Sequence, residues 1–128
     1  MWQETGFCRF LKEKRRERTM TVREMAERSG LSSGYYSDLE SGRRNPPERE
    51  ILDKMLAVLN ASDDDKKVFY DLAGKARSEA PPDLPEYINE NEVVRVALRL
   101  AKDQGDTTRV WNRFIDFLEE EKGDGPDD

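Results

Sequence analysis

Residues 21–47, "TVREMAERSGLSSGYYSDLESGRRNPP", decide the fold. Thr21 can accept a hydrogen bond from the Glu24 amide while Glu24 reaches back to Thr21, a capping box that opens a helix over residues 22–28. Gly30 supplies the turn after it. Ser32 is a good N-cap, and Leu31 before it can pack on Tyr36 as a hydrophobic staple, so the next helix starts at 33 and ends at Gly42. Two short helices joined by the four-residue turn Ser29 to Ser32 have the geometry of a helix-turn-helix.

Working outward, Phe7, Phe10 and Leu11 share a face of an earlier helix that runs into "KEKRRER" and stops near Arg18. After "RRNPPERE" a fourth helix carries Ile51, Leu52, Met55, Leu56 and Leu59 on one stripe. "SDDDKK" opens a fifth, with Ser62 as cap, three Asp residues against the helix dipole, and Val68, Phe69, Leu72 and Ala73 facing inward. Five helices close a small core within residues 1–77. In "SEAPPDLPEY", Pro81, Pro82 and Pro85 remove backbone donors, so residues 78–85 are expected to be a linker. Beyond it, Val94, Ala97, Leu98 and Ala101 mark one helix, and Val110, Trp111, Phe114, Ile115 and Leu118 another. Two isolated helices cannot bury both stripes, so residues 86–121 are expected to form a helical pair that dimerises, followed by an acidic, solvated tail at 122–128. The apolar spacing of three and four predicts an all-α protein.

The chain has 128 residues, of which 35% are apolar and 39% charged, so the core is thin and the surface ionic. There is no His and one Cys. Histidine-based catalysis, thiolate zinc sites and internal disulfides are thereby excluded, and no apolar run approaches the roughly 20 residues that span a bilayer. The lone Cys and the absence of a signal-peptide layout place the protein in the cytoplasm. The net charge of −6 hides a gradient. Residues 1–77 carry 16 Lys and Arg against 14 Asp and Glu, whereas residues 78–128 carry 6 against 14. Screening over roughly 8 to 10 Å lets the local patch outweigh the distant total, so a polyanion-binding front half remains compatible with the acidic back half.

With Thr21 opening a helix, Met25-Ala26 within it, Gly30 in the turn, Leu39-Glu40 ending the next helix and Gly42 followed by Arg43-Arg44-Asn45-Pro46, the chain resembles the Cro and phage-repressor helix-turn-helix family, also called the xenobiotic-response-element (XRE) family. The resemblance covers about residues 7–77. It implies a five-helix, lambda-repressor-like helix-turn-helix domain, to which the two C-terminal helices are added. It also implies a structural ion pair between Arg15 and Glu40. In such proteins the third helix enters the major groove and the second lies across the backbone. Carried over by position, Ser33, Gly34, Ser37 and Asp38 face the bases. Ser33 and Ser37 can donate or accept, Asp38 can accept from a cytosine amino group, and Gly34 permits close approach. No long bidentate donor stands on this face. Thr21, Tyr35, Arg43, Arg44 and Asn45 fall where the family's phosphate contacts fall.

The resemblance therefore implies a sequence-specific double-stranded DNA-binding transcriptional regulator that acts as a repressor, and no cofactor or metal is expected. The apolar stripes of the C-terminal helices, which could instead pack on the first domain, are expected to form a dimer interface through Val94, Leu98, Ala101, Trp111, Phe114, Ile115 and Leu118. One alternative is the antitoxin of a toxin–antitoxin pair, its acidic C-terminal helices wrapping a basic toxin protein. Another is a protein-interaction adaptor without DNA binding. No membrane partner and no enzymatic activity are expected. Three features are read as structural. Lys12, Lys14, Arg15, Arg16 and Arg18 alternate with Glu13 and Glu17 as a salted face. Cys8 is a small, semi-buried apolar residue. Asp63, Asp64 and Asp65 lack the Gly and terminal Glu of a calcium loop.

Overall fold

Thr5 accepts a hydrogen bond from the Cys8 amide and so caps α1, Gly6–Glu17, the first element of a computed structural model that describes residues 5–123. It is followed by α2 (Val22–Arg28), α3 (Ser33–Ser41), α4 (Arg49–Val58), α5 (Asp63–Arg77), α6 (Pro85–Glu90), α7 (Glu92–Asp103) and α8 (Thr108–Gly123). The described residues contain no strand. The capping residues read from sequence hold the helix starts: Thr21 with Glu24 forms the reciprocal capping box of α2, Ser32 accepts from the Tyr35 amide, and Ser62 accepts from the Asp65 amide.

The chain divides into two units, residues 1–87 and 88–128. In the first, Phe7 and Leu11 of α1, Met25 and Ala26 of α2, Tyr36 and Leu39 of α3, Leu52, Met55 and Leu56 of α4, and Phe69 and Ala73 of α5 form one buried cluster. Phe7 stacks on Phe69 with ring centroids 4.8 Å apart, which locks α1 to α5. Ala26 is buried with no side chain beyond Cβ, which lets α2 and α3 approach closely. Val68, expected to face inward, is 42% exposed. Phe69 and Ala73, one turn apart, take the inner face of α5, and Val68 lies about 100° to its side. Cys8 is fully rather than partly buried, and its Sγ donates to the Leu39 carbonyl oxygen at 3.3 Å.

The Pro-rich segment belongs to the first unit and packs on α5. A Cβ on Gly74 would lie 2.8 Å from the Pro81 nitrogen and 2.9 Å from the Glu79 oxygen, so the segment crosses α5 where only glycine fits. Arg49 Nη1 donates to Glu86 at 3.3 Å, and Pro85 then opens α6, a short helix the periodicity did not foretell. The second unit has no buried residue in α7 or α8. Val93, Leu100, Val110, Phe114, Ile115, Phe117 and Leu118 are exposed, and Trp111 and Phe114 meet edge to face. Of the expected tail at 122–128, Lys122 and Gly123 complete α8, and residues 124–128 lie outside the described residues. Among the described residues no helix is long and apolar enough to cross a membrane.

Candidate nucleic-acid interface

The turn between α2 and α3 is set by its own hydrogen bonds. The Leu31 amide donates to the Ala26 carbonyl at 2.8 Å, and Gly30 adopts φ 72°, a left-handed conformation in which a side chain would be strained. Ser32 then restarts the chain as α3. Tyr36, Leu39 and Glu40 take the inner face of α3, which leaves Ser33, Gly34 and Ser37 exposed and Asp38 half-buried at the edge of the outer face. The helix ends at Gly42, φ 81°, where the amides of Gly42 and Arg43 both return to the Asp38 carbonyl. The chain then leaves toward Arg43, Arg44 and Asn45, all exposed, while Pro46 and Pro47 are buried.

Beneath this surface lies the ion pair expected between Arg15 and Glu40. Arg15 Nε donates to Glu40 Oε2 at 2.6 Å, Nη2 donates to Oε1 at 3.0 Å, and Nη1 donates to the Met20 carbonyl at 2.8 Å. One guanidinium thus joins α1, the α1–α2 turn and α3. The Tyr36 hydroxyl is buried beside the pair; burial first, and then the Glu40 charge, push its pKa well above the ordinary phenol value. At the start of α2, Thr21 Oγ1 accepts the Glu24 amide at 3.0 Å, and Glu24 Oε1 accepts the Thr21 amide at 3.1 Å. The hydrogen bond from the Thr21 backbone is the main reason the Glu24 carboxyl lies below its usual range.

Tyr35, half-buried, lies under Arg44, whose guanidinium carbon is 4.9 Å from the ring centroid, and Arg44 Nε is 4.0 Å from Asp38 Oδ2. The structure thereby gathers Asp38, Tyr35 and Arg44 at one edge of α3 and Ser33, Gly34 and Ser37 along its outer face. Thr21 sits apart, at the start of α2. Two anchors escaped sequence reading. Arg77 Nη1 donates to the Pro46 carbonyl at 2.8 Å, fastening the loop after α3 to the end of α5, and Arg18 Nε donates to the Leu59 carbonyl at 2.8 Å. In sequence Arg77 reads as a cation at a helix C-terminus, and nothing in periodicity points to its partner. The basic run on α1 is also more engaged than a salted face: Lys14 pairs with Asp65 at 3.2 Å and Arg15 is buried. No cluster of potential metal ligands occurs among the described residues.

Two short helices at a tight turn, the second projecting small polar side chains and flanked by arginines, have the geometry of a helix-turn-helix. Residues 7–68 match the family model described as a helix-turn-helix domain. It is 42% identical over 53 residues to an uncharacterised HTH-type transcriptional regulator, RghRB, of Bacillus subtilis (strain 168). That stretch is 41% of this chain and 38% of the relative, so the match spans well under half of the relative's length. Among solved structures, the clp gene regulator ClgR of Corynebacterium glutamicum is similar at a TM-score of 0.46 and 33% identity, covering 56% of this chain and 90% of that one. A SinR protein/SinI protein complex is similar at a TM-score of 0.44 and 21% identity, covering 91% and 98%.

Proposed function

We propose that the chain is a sequence-specific regulator of transcription in the cytoplasm that binds double-stranded DNA as a two-fold dimer and represses by occluding a promoter. The observation that carries the reading is the outer face of α3. Ser33, Gly34 and Ser37 are exposed on a helix whose inner face is anchored by Tyr36 and Leu39, so small polar side chains are presented on a rigid support. Thr21, Tyr35, Arg43, Arg44 and Asn45 flank them as phosphate contacts that fix register, while Ser33, Gly34 and Ser37 are the base-facing set.

Dimerisation is the part of the reading supported by the second unit. α7 and α8 have no buried residue, and Leu98, Phe114, Ile115 and Leu118 are exposed. A two-fold pair would cover them and would place two copies of α3 on half-sites about 34 Å apart. Selection from a random duplex library at two salt concentrations tests the whole. A two-fold symmetric consensus, lost in Arg43→Ala, is expected. If about four to six phosphates are contacted per protomer, log affinity falls with log salt at about −0.9 per phosphate. A flat salt response or the absence of any consensus would overturn the reading.

A further inference from the structure

Asp38 is the one acid on the outer side of α3, and its neighbours give it a different task from reading a base. Tyr35 and Asp38 stand three positions apart and share a helix face. After Gly42 the chain reverses, so that Arg44 returns to that face. Its guanidinium lies over the Tyr35 ring, 4.9 Å from the centroid and within cation–π range, and its Nε approaches Asp38 Oδ2 at 4.0 Å. That separation makes an ion pair and exceeds a hydrogen bond. Nε lies on the side edge of the guanidinium. The terminal amino groups at its far end form the fork that matches the oxygens of a phosphate. A face held by the ring and a side edge held by the carboxylate leave the end of the group for a third partner.

We infer that Asp38 is a positioning residue that orients Arg44 toward a DNA phosphate, and that it does not read a base edge. The assignment rests on the DNA-binding reading. Each contact alone is weak in water, yet two contacts from different directions restrict a side chain that otherwise samples many rotamers. The pairing also neutralises Asp38. Without Arg44 its carboxylate faces a polyanion uncompensated, and with Arg44 the two charges cancel at the surface.

The effect of removing Asp38 therefore changes sign with its partner. The test uses the full chain and a duplex recovered by selection from a random library, with fluorescence anisotropy at fixed salt, for Asp38→Ala, Arg44→Ala, the double variant and Asp38→Glu. Asp38→Ala is expected to weaken binding about 3-fold to 10-fold with base preference unchanged, and Asp38→Glu to recover part of the loss. In the Arg44→Ala background the same Asp38→Ala change strengthens binding. Loss of preference at one base pair, or weakening in both backgrounds, would overturn the assignment while leaving the DNA-binding reading intact. A wild-type chain that binds no duplex at low salt would overturn both. Both side chains sit at the surface, and urea midpoints within error of wild type confirm that the variants are folded.

Discussion

Arg15 of α1 holds both carboxylate oxygens of Glu40 on α3, at 2.6 and 3.0 Å, and closes a third bond on the Met20 carbonyl. The pair is buried, with side chains 11% and 7% exposed. Burying two charges costs desolvation that the fork geometry and the extra backbone acceptor offset. Removing one partner leaves the other charge buried alone. Glu40→Ala should destabilise by about 3 to 5 kcal/mol, and the apolar pair Arg15→Met with Glu40→Leu by much less. Urea unfolding with unchanged m-value is the measurement. Single and double variants of equal stability would contradict the account.

Stability should also fall in alkali. A phenol whose folded pKa lies above its unfolded value of about 10 keeps its proton when the unfolded chain has released it. Its contribution is thus complete below pH 10 and is lost as pH rises through the folded value. Tyr70 is pushed up to about 12, mainly by burial and then by its hydrogen bond to Asp53, and Tyr36 is raised further by burial. Lys14, raised chiefly by its bond to Asp65, works in the same direction. Unfolding free energy should decline from pH 10 upward, and Tyr36→Phe with Tyr70→Phe should flatten the decline without abolishing it. An unchanged slope in that double variant would refute the assignment.

Gly74→Ala probes the packed Pro-rich segment. The added Cβ would meet backbone atoms of Glu79, Ala80 and Pro81 at 2.8 to 2.9 Å, and backbone cannot rotate out of the way. The segment must lift from α5, at a cost on the order of 1 to 3 kcal/mol. Limited proteolysis should cut faster within residues 79–85 while the Phe7 and Phe69 stack persists. Equal cleavage rates in the variant and wild type would show that the segment is not held there.

How far these features were legible depends on the range of the interactions that create them. α2, α3 and α5 could be read from sequence because their starts are fixed by side chains within three residues: Thr21 with Glu24, Ser32 with the Tyr35 amide, Ser62 with the Asp65 amide. Periodicity located the core faces of α1 and α4 for the same local reason. It failed at Val68, where tertiary packing chose Phe69 and Ala73 for the inner face. Arg77 on Pro46 and the Gly74 crossing involve backbone atoms, which carry no residue-type signal. The Tyr35, Asp38 and Arg44 cluster needed the reversal at Gly42 before two flanking positions could become neighbours.

The bare faces of α7 and α8 lead to the last expectation. Leu100 is 58% exposed and Phe117 53%, on helices with no buried residue, an arrangement that invites self-association or another partner. Leu98→Glu with Phe114→Glu puts two carboxylates on that surface. If copies pair there, light scattering at tens of micromolar should report a dimer for the wild type and a monomer for the double variant. The first unit has its own core, so its urea midpoint should be preserved. Affinity for a duplex with two half-sites should drop at least tenfold, because the second half-site no longer binds as part of the same molecule. Affinity for a single half-site should be nearly unchanged. A wild type that is monomeric with and without the duplex would remove this face from the dimer interface.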